Sequence, residues 1–208
     1  MGKFPLKEKL ERREGVHLHV KGERCTSPKC GVTRRNYPPG VHGPKGRPRL
    51  TPYGVQLREK QKVKRFYGLL ERQFRRYFDA ATSRRGDTGL FLMQTLERRL
   101  DNVVYRMGFA KSRRQARQVV NHGHFLVNGT LVNIPSYSVR IGDVVTLKES
   151  KRSSGLYADL LERWQQLEVP PWLIITPDEY QGKVLALPEG VELKQTFDPR
   201  LIVEFYSR

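Results

Sequence analysis

Cysteine is scarce in this chain: only Cys25 and Cys30 occur in 208 residues. Two thiols give no disulfide framework and suit a reducing compartment. No apolar run approaches the roughly 20 residues of a membrane helix; "WLIIT" (172–176) is strand-sized, and the mean hydropathy is −0.62. The opening "MGKFPLKEKL" has neither an apolar block nor a small-residue cleavage site, so no secretory signal is expected. Nucleotide-binding signatures are missing too. There is no Gly-x-x-x-x-Gly-Lys and no Gly-x-Gly-x-x-Gly after a strand, and "GVHGPKG" (40–46) lies in a Pro-rich basic segment. Asp101 is the lone acid in "RRLDNVVYR", without the second carboxylate of an acid–base pair; it is expected to pair with Arg98 or cap a loop. His122 and His124 have no third partner for a metal. No catalytic residue, cofactor, small-molecule substrate or membrane partner is therefore expected.

Acidic residues are also few, 21 against 39 Lys and Arg, which leaves a net charge of +18. The deficit is uneven. Residues 1–75 are net +14, residues 76–150 net +6 and residues 151–208 net −2. Such a gradient points the first two thirds of the chain at a polyanion, and nucleic acid is the partner that this charge matches best.

Residues 1–50 are rich in Gly, Pro, Arg and Lys and sparse in apolar side chains, as in "RRNYPPGVHGPKGRPR" (34–49). They are expected to form an extended basic arm that orders against RNA in place of a core. Helices follow. "TPYGVQLREKQKVKRFYG" (51–68) has Thr51 as an N-cap, a proline at the first helical position and Gly68 to end it. "LLERQFRRYFDAAT" (69–82) sets Leu70, Phe74, Tyr77 and Phe78 on one face. "TGLFLMQTLERRLDNVVYRMGF" (88–109) predicts a bent helix or two helices.

In "SRRQARQVVNHGHFLVNGTLVNIP" (112–135), Ser112 and Gln115 form a capping-box pattern and Gly123 can end the helix in the left-handed conformation. Ala116, Val119 and Val120 share one arc; Arg113, Arg114, Arg117 and Asn121 share another. "HFLV" (124–127), an Asn128–Gly129 turn and "TLVNI" (130–134) then predict a hairpin, with "SVRIGDVVTL" (138–147) as further strand. A helix over 152–167 is expected to bury Leu156, Leu160, Leu161 and Trp164. "WLIIT" (172–176), "KVLAL" (183–187) and "LIVEFY" (201–206) are strand candidates. The fold class is α+β.

"LERRLDNVVYRMGFAKSRRQARQVVNHGHFLVNG" (96–129) closely resembles the alpha-L RNA-binding motif, and "YPPGVHG" (37–43), "LREKQKVKRFYG" (57–68), "IPSYSVRIGD" (134–143) and "VEFYSR" (203–208) extend the likeness to the bacterial small-subunit ribosomal protein four family over nearly the whole chain. The resemblance implies a helical domain with an inserted alpha-L domain of two helices and a small antiparallel sheet, preceded by the basic arm. The expected boundaries are 1–50 for the arm, 51–95 completed by 190–208 for the helical domain, 96–160 for the alpha-L domain, and 161–189 as connecting helix end and strands. It further implies primary binding to 16S rRNA at a junction of the 5′ domain, nucleation of the 30S body, an effect on accuracy with ribosomal proteins five and twelve, and a place at the mRNA entry path with proteins three and five. The implied location is the small ribosomal subunit in the cytoplasm.

Arginine suits a folded RNA junction, because its planar fork bridges phosphate oxygens and stacks on bases. The expected contacts in the alpha-L domain are Arg99, Arg106, Lys111, Arg113, Arg114, Arg117, Asn121, His122 and His124. In the helical domain they are Tyr53, Arg58, Lys60, Lys62, Lys64, Arg65, Arg72 and Arg76. In the arm they are Arg12, Arg13, Arg24, Lys29, Arg34, Arg35, Tyr37, His42, Lys45, Arg47 and Arg49. Two other readings compete: an RNA-modifying enzyme carrying the alpha-L motif, which needs a separate catalytic domain, and a free RNA chaperone. The segments outside 96–150 are too basic, short and divided for such a domain.

Many members of the resembled family begin with a four-cysteine knuckle. Here its second pair survives as Cys25 and Cys30, while Glu8 and Glu11 stand where the first pair falls. The expectation is no metal, with a Cys2His2 set completed by His17 and His19 of "VHLHV" left open if that stretch is a strand.

Overall fold

The computed structural model describes residues 7–46, 49–189 and 197–207. Among them the helices run, in chain order, α1 (Lys7–Glu14), α2 (Gly31–Arg34), α3 (Pro52–Phe66), α4 (Glu71–Thr82), α5 (Thr88–Glu97), α6 (Leu100–Arg106), α7 (Arg113–Asn121), α8 (Glu149–Arg152), α9 (Leu160–Gln166) and α10 (Pro199–Tyr206). The strands are β1 (Phe125–Val127), β2 (Thr130–Leu131), β3 (Val144–Leu147), β4 (Leu173–Thr176) and β5 (Gln181–Val184). The chain divides into two compact units, Met1–Leu92 with Val191–Arg208, and Met93–Gly190; the division falls within α5.

In the first unit α3 starts as its sequence dictates. Gly54 N donates to Thr51 Oγ1 at 3.2 Å, and Pro52 opens the helix. Such a cap contributes about 1 kcal/mol. α4 buries Phe74, Phe78 and Ala81 and turns Arg72, Arg75 and Arg76 outward. Leu70 does not join that buried face: it is the N-cap residue and lies exposed.

The segment 201–206, expected as a strand, is helical. Asp198 Oδ1 accepts from Arg200 N at 2.9 Å, and Pro199 occupies the first turn, so capping overrides the β-branched composition. α10 then places Tyr206 4.5 Å from Phe78, ring to ring. Phe197, just before it, lies edge-on to Phe66 at 4.9 Å. Aromatic pairs of this kind are worth about 0.5–1.5 kcal/mol beyond their buried area.

Residues 7–46 differ from a coreless arm. Leu18, Val20, Cys25, Cys30 and Val32 are buried, and so is Glu11. The few apolar residues converge because polar bonds fold the backbone around them. Val20 N donates to Glu11 Oε1 at 3.0 Å, and Arg12 donates to the carbonyls of Arg35, Tyr37 and Pro38 at 3.1–3.3 Å.

The second unit packs α6, α7 and α9 against an antiparallel sheet of order β2-β1-β3-β5-β4. Leu100, Val103, Met107, Val119, Phe125, Val145, Leu147 and Trp164 form its centre. The 88–109 region divides because residues 98 and 99 leave the helix, and 98–100 pair with 137–139: Leu100 N donates to Tyr137 O at 2.8 Å, and Val139 N to Arg98 O at 2.9 Å. β1 and β2 meet through the Asn128–Gly129 turn, with φ of +50° and +78°.

Two expectations change here. Strands β4 and β5 join the same sheet as β3, through the pairing of Val145 with Gly182. Gly182 admits Met107: a Cβ there would meet its sulfur at 2.6 Å. Leu156 and Leu161 are exposed, because 155–157 is a 3-10 turn that buries Tyr157 instead, while Leu160 and Trp164 face the core.

Candidate nucleic-acid interface

In the second unit α7 has the two faces that its sequence predicts. Ser112 Oγ accepts from Gln115 N at 3.3 Å, and Gln115 Oε1 reaches back to Lys111 N at 2.8 Å. Ala116, Val119 and Val120 are buried; Gln118, Asn121 and His122 are exposed; Arg113, Arg114 and Arg117 are half-buried. Burial alone lowers the Arg114 pKa from its ordinary value.

A buried acidic network lies beside this helix, and sequence reasoning missed it. Glu97 accepts from Arg106 through both oxygens, at 2.9 and 3.0 Å. Asn102 Nδ2 donates to Glu97 Oε2 at 2.7 Å, while Asn102 Oδ1 accepts from Arg113 Nε at 2.8 Å. The Arg113 guanidinium also stacks 4.4 Å from the Tyr105 ring. Asp101 pairs with Arg99, at 2.9 and 3.1 Å, and lies 3.8 Å from Arg117. Arg98 instead donates to Val139 O at 2.8 Å. The signal was present in "LERRLDN", where Glu97 and Asp101 stand four residues apart between Leu96 and Asn102, but only the folded chain shows which way they point.

Two residues expected to face RNA point inward. The Arg99 side chain is 1% exposed and serves Asp101. His124 is buried with Nδ1 2.9 Å from the Tyr157 hydroxyl. Burial, then the charges of Lys151 and His122, depress the His124 pKa. Lys111 pairs with Asp159 at 2.6 Å at the surface.

In the first unit, Arg13, Arg24, Lys29, Arg34, Arg35, His42, Lys45, Arg49, Tyr53, Arg72 and Arg76 are exposed. Arg47 lies outside the described residues. Arg12 is engaged with the 35–38 backbone and stacks 4.7 Å from the Tyr37 ring, which is half-buried.

The cations of α3 are bound to acids. Arg58 and Arg65 both meet Glu14, Lys62 meets Glu59 at 2.6 Å, and Lys60 and Lys64 meet Glu71 at 2.6 and 2.7 Å. Burial pushes the Glu14 carboxyl above its ordinary range against the pull of Arg65 and Arg58. At Glu71 burial is outweighed by hydrogen bonds from Lys60, Lys64 and Tyr206, which hold its carboxyl at about 2. Lys60 is itself buried, 4.5 Å from the Phe205 ring centre. Arg75, Arg84 and Arg85 are exposed cations that sequence reasoning did not select; "RRYF" and "SRRGD" carried the signal.

His17 and His19 are not paired on a strand. His19 has a φ of +50°, both side chains are exposed, and His17 Nδ1 lies 3.5 Å from Cys30 Sγ.

Half-exposed arginines on α7, braced by the buried Asn102 and Asp101 of α6, with exposed arginines on α4, define a nucleic-acid-binding class of protein. Residues 6–97 match the ribosomal protein S4/S9 N-terminal domain, and residues 98–145 match the S4 domain. The chain is 53% identical to small ribosomal subunit protein uS4 of Halothermothrix orenii over 200 residues, 96% of each chain. With the same coverage it is 54% identical to uS4A of Symbiobacterium thermophilum and 52% identical to uS4 of Thermus thermophilus. The chain belongs to the small ribosomal subunit protein uS4 family.

Proposed function

We propose that this chain is a structural rRNA-binding protein of the small ribosomal subunit, acting in the cytoplasm. The observation that carries this reading is α7: one face is locked into the core through Ala116, Val119 and Val120, and the other offers Arg114, Arg117, Asn121 and His122 beside Arg113, which the Asn102 side chain braces. The bracing fixes where the charges stand before RNA arrives, so less side-chain freedom is lost on binding. Backbone and 2′-OH contacts need this kind of preset array.

At the finer level, the chain is a primary binder of 16S rRNA at a 5′-domain junction and nucleates the 30S body. It acts on accuracy with proteins five and twelve, and it lines the mRNA entry path with proteins three and five. Its part in these is to hold RNA shape, and no residue is assigned a catalytic role. The test is sedimentation of cell extract through moderate salt, with 16S 5′-domain fragments as binding partners in vitro. Co-migration with 30S particles and tight, salt-dependent binding are expected. A mainly free pool, or base modification by the purified chain, contradicts the proposal.

A further inference from the structure

A cavity of about 210 Å³ opens in the first unit between the end of α1, the 37–43 loop and the first turns of α3. We propose that it receives one unstacked base of RNA, guanine by preference. This rests on the rRNA-binding reading above and adds base recognition to a surface otherwise read as phosphate-facing.

The size selects a base. Pockets that enclose a whole drug-sized ligand run from about 300 to 1,000 Å³. This one has room for a single ring system, with the sugar and phosphate left outside. Its walls suit the face of a ring: Pro38, Leu50 and Val55 line it. Leu50, Tyr53 and Val55 are 48%, 49% and 41% exposed, so half of the positions 50–55 present large apolar side chains to water. A base that enters the cavity covers part of that surface, and unstacked bases are the form in which single-stranded RNA is read.

The Pro38 wall is set before any ligand arrives. Arg12 donates to the Pro38 carbonyl at 3.3 Å, and a Cβ at Gly43 would meet the same oxygen at 1.9 Å. Glycine at 43 therefore lets the loop close onto Pro38. The "YPPGVHG" stretch thus has a task in the fold, and a preset wall lowers the ordering cost of binding.

The polar groups choose among bases. Guanine has adjacent N1–H and N2–H donors on one edge and the acceptors O6 and N7 on another. A carboxylate accepts only and matches the donor edge; arginine matches O6 and N7. The cavity offers both. The Glu14 side chain is 1% exposed, and its ion pairs with Arg58 and Arg65 both run to Oε1, which leaves Oε2 to accept from a ligand. Arg13, next to it on α1, is exposed at the rim. Glu59 is already occupied, with Oε1 accepting from Asp198 N at 3.0 Å and Oε2 from Lys62 at 2.6 Å. Adenine and cytosine set a ring-nitrogen acceptor beside their amino group, and uracil flanks its N–H with two carbonyls; a carboxylate repels each of these acceptors.

The test uses the full chain and a 16S 5′-domain fragment carrying 6-thioguanosine, which crosslinks at contact distance under near-ultraviolet light. Crosslinks to the peptide that contains Leu50 and Val55 are expected, and a fragment carrying 4-thiouridine should give none there. Val55→Trp fills the cavity from an exposed position. It should weaken binding of the unmodified fragment about tenfold, the size of one lost base contact, and leave the log–log salt slope as in the parent, because no phosphate contact goes. If Val55→Trp does not fold, the crosslinks of the parent chain still decide. Absence of crosslinks at that peptide, equal crosslinking from the two fragments, or parental affinity in a folded Val55→Trp overturns the base pocket while the rRNA reading stands. A parent chain that does not bind the fragment overturns the rRNA reading and this proposal with it. Tight binding of GMP to the chain alone overturns RNA as the source of the base.

Discussion

Helices α3 and α4 are neighbours in sequence and both carry several cations, yet they use them differently. The five cations of α3 all meet acids, and Lys60 is buried among aromatic rings as well. The arginines of α4 stand in solvent, with Arg75 tied to its own helix through Asp79 at 3.1 Å. α7 in the second unit is intermediate: Arg113 and Arg117 keep part of their surface while Asn102 and Asp101 brace them. Formal charge is therefore a poor count of charge available to RNA. α3 spends its cations on cohesion of the first unit, and α4 and α7 offer theirs outward.

Substitutions can break this division, and the largest effect falls on the bracing acids. Asp101→Ala leaves the Arg99 guanidinium buried without its carboxylate. A loss of about 3–5 kcal/mol in unfolding free energy is expected from urea titration; a loss below about 1 kcal/mol would mean that the pair does not lock the second unit. Next in size, Ser112→Ala removes the cap that starts α7 and should cost about 1 kcal/mol, read from the same titration with little change in its slope.

A pH test probes the inward His124. The folded pKa of His124 lies below the ordinary value of about 6.5, so between the two values the unfolded chain binds more protons than the folded one. Its contribution is whole above about pH 6.5 and is lost as pH falls from there through the depressed folded value. His124→Gln should flatten that dependence, measured as parent minus variant at pH 7.5 and 5.5. An identical pH dependence in parent and His124→Gln would contradict the buried neutral histidine.

Local chemistry made much of the fold legible. Thr51 with Pro52, Ser112 with Gln115, and Asn128 with Gly129 each act within four residues, and each gives the element that its pattern predicts. Residues decided by distant partners were not legible. "LIVEFY" has strand composition, but the Asp198–Pro199 cap starts a helix there, and Phe74, Phe78 and Glu71 receive its Tyr206 from more than 120 positions away. Leu161 looks like a core residue until Leu160 and Trp164 take the buried face. The same limit governs the interface. Glu14 meets Arg58 and Arg65 across 44 and 51 residues, so no local pattern separates those arginines from Arg72 and Arg76.

The most direct test of available against formal charge is the log–log salt dependence of binding to a 16S 5′-domain fragment. Three proteins are compared: the parent, Arg72→Ala with Arg76→Ala, and Lys62→Ala with Lys64→Ala, each first checked for an intact fold by circular dichroism. Each lost phosphate contact should reduce the slope by roughly 0.7–0.9. The α4 pair should therefore lose about 1.4–1.8, and the α3 pair less than half of that. Equal losses from the two pairs, or a parental slope in the α4 variant, would contradict the account.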